Sequence, residues 1–176
     1  MPWALDDEAV AVARRFTRLK MSPMPYVLGA ARQAQVDGTP IIRPMVLEFP
    51  DDPATEYLST RYMLGDSLLV APVFHADGTV RYYVPQGRWT DVLDGREVVG
   101  PRWVTQTHGF DSLPLLARPG SVIPFGARDD GPECDYPSGF TLRLFDPASL
   151  TDAAVAVPKP GGGDRSTSSS AGRAGD

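Results

Sequence analysis

The chain of 176 residues has one cysteine and two histidines, and each scarcity removes a class of function. With Cys134 alone, an intrachain disulfide is excluded, and a reducing, cytoplasmic setting is the expected one. His75 and His108 lie far apart in turn-rich contexts, nothing singles out carboxylates to join them, and no ligand spacing of a known class appears, so neither a metal nor a cofactor is expected. The net charge is -5 and no basic stripe exists, which argues against nucleic acid as a partner. No run approaches the roughly 20 apolar residues of a membrane span, and the N-terminus lacks the basic start and apolar core of a secretory signal. Missing too are a serine in a nucleophile elbow, a glycine-rich phosphate loop after a strand, and a Cys–His pair.

What is present divides into two patterns that meet within residues 57–84. Before this stretch the apolar residues recur at helical spacing. After it they come in short runs cut by Gly, Pro and Asp. Asp6-Asp7-Glu8 suits the start of a helix, where carboxylates meet the positive end of the dipole. Val10, Val12, Ala13, Phe16 and Leu19 follow at three- and four-residue steps, with Arg14, Arg15, Arg18 and Lys20 crowding the later turns. Ser22-Pro-Met-Pro25 interrupts the pattern, and a second helix is predicted over about 26–35, ending at Asp37-Gly38. Residues 39–49 are apolar nearly throughout. They read as a parallel strand covered on both faces, the kind found in an α/β barrel, with Pro50-Asp-Asp-Pro53 ending it. One parallel strand makes no sheet, so this N-terminal third reads as the last piece of a larger α/β domain.

From residue 68 onward the pattern is that of a small antiparallel sandwich, with strands predicted at 68–73, 80–84, 88–93, 103–107, 113–117, 121–124 and 141–145. Asp77-Gly78, Pro85-Gln-Gly87, Asp94-Gly95, His108-Gly109 and Pro119-Gly120 supply the turns. Residues 128–139 read as a loop or boundary. Residues 158–176, rich in Gly and Ser, offer almost no apolar surface to offset an ordering entropy of roughly 1–2 kcal/mol per residue, and are expected to be disordered. The organisation is thus 1–66 as a barrel remnant, 67–127 as a sandwich, 128–157 as a boundary with the start of a further β unit, and 158–176 as a tail.

Paired carboxylates are the commonest unaided hydrolytic machinery, so each acid was weighed for that role. Asp6, Asp7 and Glu8 are best read as helix caps, Asp51 and Asp52 as turn residues, and Asp66 as a loop or capping group. Glu48 is different. As a residue near the C-terminal end of a barrel strand it would lie on the edge where such barrels place active sites. No complete catalytic constellation emerges. Tyr82, Tyr83, Trp89 and Trp103 suggest either a sugar-stacking platform or, more simply, the filling of a small core.

These residues carry a resemblance. Pro2-Trp3 with Asp6-Asp7-Glu8, Met24-Pro-Tyr26, Gly38-Thr-Pro40, Arg43-Pro-Met45, Glu48-Phe-Pro-Asp-Asp-Pro53 and Tyr62-Met-Leu-Gly-Asp66 stand in the order found in glycoside hydrolase family 31. Val70-Ala-Pro-Val73, Val84-Pro-Gln-Gly-Arg-Trp89 with Asp91, Leu113-Pro-Leu-Leu-Ala-Arg118 and Gly120-Ser-Val-Ile-Pro124 continue the series. The chain resembles that family, particularly its bacterial α-xylosidases, over residues 2–145. The resemblance implies a (β/α)8 catalytic barrel followed by a proximal and a distal β-sandwich. It also implies a retaining mechanism with two aspartates, nucleophile and general acid/base, both upstream of any residue present here.

The expected fold class is therefore α+β: the last helix and strand part of a (β/α)8 barrel, then an antiparallel β-sandwich. The expected function is that of the C-terminal part of a retaining α-glycosidase acting on terminal α-xylosyl or α-glucosyl residues. No catalytic, cofactor-binding or metal-binding residue is expected in this chain. Its expected partners are the α-xylosides or α-glucosides of the full-length enzyme and the rest of the barrel. A non-catalytic β-sandwich that binds carbohydrate or serves as an interaction module is the competing reading.

Overall fold

The computed structural model describes residues 4–131, 136–151 and 155–157. Cys134, Pro2-Trp3 and the tail at 158–176 lie outside them.

Two helices open the described chain where the sequence places them. In α1 (Asp7–Met21), the Asp6 carboxylate accepts from the Ala9 N–H at 2.7 Å and satisfies one of the orphan donors of the first turn. Asp7 and Glu8 stand at the positive end of the dipole, and Arg18 and Lys20 at the negative end. Helix α2 (Met24–Asp37) carries Pro25 in its first turn, where the missing N–H costs nothing, and buries Tyr26 and Ala30. It ends at Gly38, whose φ of 80° places it in the left-handed region that glycine tolerates, with its N–H on the Ala34 carbonyl at 3.1 Å.

The apolar run at 39–49 is not a parallel strand. Ile42–Pro44 form β1, which pairs antiparallel with β2 (Tyr62–Leu64) in the register Ile42↔Leu64, Pro44↔Tyr62. Met45–Glu48 then turn into a short helix, α3, closed by Phe49 N–H on the Met45 carbonyl at 2.9 Å. Pro44 cannot donate to a ladder and is well suited to precede a helical turn, so the strand stops there. Continuous apolarity was also a poor guide to burial. Arg43 is buried and Met45 fully so, while Ile42, Val46 and Leu47 face outward. Three exposed apolar side chains within six residues form a sticky surface. We expect the chain to self-associate as its concentration rises, and Ile42→Lys with Leu47→Lys to suppress this. Sedimentation velocity over a hundredfold concentration range checks it, and a wild-type chain that stays monomeric throughout contradicts it.

The remaining strands are β3 (Leu68–Val70), β4 (Thr79–Asp91), β5 (Glu97–Thr107), β6 (Leu115–Ala117), β7 (Ser121–Phe125) and β8 (Thr141–Phe145). Strands β1 to β6 make one antiparallel sheet in the order β1-β2-β3-β6-β4-β5, and β7 pairs with β8 in a separate ribbon. The expected boundary between residues 66 and 67 falls within the β2–β3 hairpin. The sheet is apolar on both faces because its short central strands alternate side to side. Leu69 and its cross-strand partners Met63 and Leu116 enter one core with Met45, Tyr82, Val84 and Trp89. Leu68 and Ala117, one residue along, enter a second core with Tyr26 of α2 and Ile123 and Phe125 of β7.

The separate strands expected at 80–84 and 88–93 are one strand, and Pro85-Gln-Gly87 is not a turn. It is a bulge at which the β4–β5 register shifts between Val84 and Gly87. A proline has no N–H for the ladder, so the pairing breaks locally and resumes. Gly100 lies opposite the bulge, and a Cβ there would meet the Pro85 carbonyl oxygen at 2.0 Å. Here only glycine permits the approach.

Candidate functional site

Glu48, the acid for which a catalytic position seemed open, is tied on both oxygens. Arg43 Nη1 donates to Oε1 at 2.5 Å and Arg118 Nη1 to Oε2 at 2.9 Å. Arg43 also donates from Nε to the Pro40 carbonyl and from Nη2 to Gln33 Oε1 of α2, both at 2.9 Å. Arg118 reaches the Asp66 carbonyl at 3.1 Å, and its guanidinium lies 4.8 Å from the Phe49 ring centroid. A carboxylate clamped by two guanidiniums braces structure. Here it ties α2, β1, α3 and the segment after β6 into one unit.

Beside this knot a cavity of about 360 Å³ opens between α2 and β7, its walls including Tyr26, Gln33, Arg43, Asp66, Ser67 and Ser121. The Tyr26 hydroxyl donates to the Leu64 carbonyl at 2.6 Å and accepts from the Ser67 N–H at 2.9 Å. Burial, reinforced by the neighbouring Asp66 carboxylate, pushes this phenol well above its ordinary range. The Ser67 hydroxyl donates to Asp66 Oδ1 at 2.6 Å. Tyr26→Phe leaves the buried Ser67 N–H without its acceptor. We expect a loss of about 1–3 kcal/mol, read from the urea midpoint at unchanged m-value. A midpoint within error of wild type would show that the hydroxyl is dispensable.

Three other acids, Asp6, Asp52 and Asp91, accept from backbone N–H groups at helix starts and turns. Asp6 caps α1. Asp52 Oδ1 accepts from the Ala54 N–H at 3.0 Å, and its Oδ2 accepts from the Tyr83 hydroxyl at 2.7 Å. Asp91, quoted above only for its resemblance, is buried and accepts from the Leu93 N–H at 2.8 Å at the β4–β5 turn. Burial raises its pKa. His75 is exposed. His108 contacts Ser112 Oγ at 2.9 Å and Gln106 Oε1 at 3.1 Å, side chains of its own strand and turn. Among the described residues no three His, Cys, Asp or Glu side chains are grouped so as to hold a metal ion. Of the four aromatics, Tyr82, Tyr83 and Trp89 are buried, so they do not form a joint stacking platform with Trp103. Trp103 alone is substantially exposed, at 43%.

Sequence reasoning passed over Arg43 and Arg118 as partners of Glu48. A signal was available for Arg43: an arginine inside an otherwise apolar run requires an acid to accompany it inward.

The antiparallel sheet with its bulged long hairpin is thus tied to α2 and α3 through the Arg43–Glu48–Arg118 knot. Residues 38–123 match the glycosyl hydrolase family 31 C-terminal domain, and the chain belongs to that family. Within it the chain is α-xylosidase-like. It is 45% identical over 152 residues to an α-xylosidase of Emericella nidulans, covering 82% of this chain and 20% of that protein. It is 38% identical over 149 residues to an α-xylosidase of Lactiplantibacillus pentosus, covering 82% and 19%. Among solved structures, a family 31 dextranase of Flavobacterium johnsoniae complexed with glucose superposes with a TM-score of 0.72 at 32% identity, over 77% of this chain and 17% of that one. The chain thus spans about a fifth of the length of these relatives. Among the described residues no helix is long and apolar enough to cross a membrane.

Proposed function

We propose that this chain is the barrel-to-sandwich part of a retaining α-glycosidase that hydrolyses terminal α-xylosyl or α-glucosyl residues in the cytoplasm. Helices α1 and α2 with β1 and α3 belong to the closing part of the (β/α)8 barrel, and the strands from β3 onward to the proximal sandwich. The catalytic aspartates belong to other parts of the enzyme. The role of this part is mechanical: it holds the end of the barrel on the sheet. The observation that carries the reading is the Arg43–Glu48–Arg118 knot within a chain 45% identical to an α-xylosidase. Its charges join the helical segment to the sheet, while Asp6 and Asp52 are used as caps and Glu48 as an ion-pair partner.

Two measurements test this. The purified chain is expected to show no turnover of p-nitrophenyl α-xyloside or α-glucoside above a heat-inactivated control. Substituted for the matching segment of the Emericella nidulans α-xylosidase, it is expected to preserve α-xyloside hydrolysis to within about tenfold. A chimera that folds but is inert, or turnover by the chain alone that Glu48→Gln abolishes, overturns the proposal. The competing reading, a free-standing carbohydrate-binding sandwich, loses its main support with the burial of three of its four aromatics.

A further inference from the structure

Two arginines meet on one indole. Arg81 on β4 lies with its guanidinium carbon 4.5 Å from the ring centroid of Trp103 on β5, and Arg61, just before β2, lies 5.3 Å from the same ring. Tyr83, the cross-strand partner of Trp103, sits beside it at 5.6 Å between centroids. Arg61 donates to two neutral acceptors, the Arg81 carbonyl at 3.2 Å and the Thr60 hydroxyl at 2.7 Å, while its buried Nε has no acceptor. No carboxylate among the described residues forms an ion pair with either guanidinium. The nearby Asp52 is engaged by the Tyr83 hydroxyl and the Ala54 N–H. Partial burial and the like charge of Arg81 hold the Arg61 pKa below its ordinary value.

We propose that Arg61, Arg81 and Trp103 form an anion-recognition site whose ligand is the carboxylate of an acidic sugar, a uronic acid carried on a glycan. A guanidinium stacked on an indole keeps its N–H edge free for a planar carboxylate, and the stack fixes the fork in place before the ligand arrives. The exposed part of the indole offers the apolar surface against which the C–H face of a pyranose packs. Trp103 lies on β5, the edge strand of the sheet, and is 43% exposed, so part of the indole is open to a ligand. The choice of a carboxylate stands on the two unpaired guanidiniums. The choice of a sugar as its carrier rests on the reading of the chain as part of a glycosidase.

The full chain is titrated by calorimetry with a xylo-oligosaccharide bearing one glucuronic acid, with the unsubstituted oligosaccharide, with sodium acetate and with a glutamate-containing peptide. Saturable binding of the acidic oligosaccharide is expected, weakened at least tenfold by Arg81→Gln, by Arg61→Gln and by 0.5 M salt. Arg81→Lys, which keeps the charge and loses the fork, is expected to lie between, and Trp103→Leu to abolish the preference over acetate. Equal binding of the neutral oligosaccharide overturns the proposal, as does equal binding of acetate, binding of the peptide alone, or no binding at all. The chimeric α-xylosidase assay reads the glycosidase proposal separately, because an inert chimera with intact uronate binding, or the reverse, distinguishes the two failures.

Discussion

Glu48→Ala is expected to be the most damaging single change in the helical third, lowering stability by about 3–5 kcal/mol. The Arg43 side chain is 4% exposed and Glu48 12%, so deleting the carboxylate strands a buried guanidinium with only the Pro40 carbonyl and the Gln33 amide for company. Arg118 is 35% exposed and recovers water, so it contributes less to the loss. For a chain of this size the unfolding midpoint should fall by roughly 6–20 °C, at about 2–4 °C per kcal/mol. The pair Arg43→Met with Glu48→Leu supplies the internal control. Removing both charges together leaves no orphan, so the double variant is expected to be much closer to wild type than Glu48→Ala. Calorimetry on the three proteins decides it. A Glu48→Ala midpoint within about 1 °C of wild type would mean that water already screens the knot.

Trp89→Ala is expected to cost about 3–5 kcal/mol by a different route, the cavity left when a large core side chain is truncated. Trp89 is fully buried, with Phe49 tilted against it at 6.1 Å between ring centroids. Its indole N–H donates to the Pro85 carbonyl at 3.0 Å, the residue that breaks the β4 ladder. The side chain therefore fills the core and also ties down the bulge. Trp89→Phe separates the two roles. It keeps most of the apolar volume, loses the hydrogen bond, and should cost clearly less than the alanine variant. Denaturant titration followed by circular dichroism reads both. Equal losses for Phe and Ala would assign the effect to the bulge contact, and a loss below about 1 kcal/mol for Ala would show that the core closes around the gap.

The local elements were legible wherever their cause was local. Asp6 as a cap, the acidic first turn and basic last turn of α1, Gly38 at the end of α2 and the Asp94-Gly95 reversal all follow from groups within a few residues of one another. The ordered set of short motifs from Met24-Pro-Tyr26 to Gly120-Ser-Val-Ile-Pro124 was enough to identify the family, because an ordered series constrains far more than any one of its members. The large buried area that aromatics supply likewise favoured their filling a core, as Tyr82, Tyr83 and Trp89 do.

What depended on a partner distant in sequence was settled only by the tertiary structure. The direction of residues 42–44 is set by hydrogen bonding to Tyr62–Leu64, about twenty residues away, and no periodicity records that pairing. Pro85-Gln-Gly87 has the composition of a turn, yet the strand continues because Gly100, on the facing strand, lets the backbones approach. Glu48 read alone is a candidate acid at a strand end. Arg43, five positions earlier, and Arg118, seventy positions later, make it a brace. The charge of a side chain is a property of its residue, but its compensation, and hence its use, is a property of the neighbours that folding brings to it.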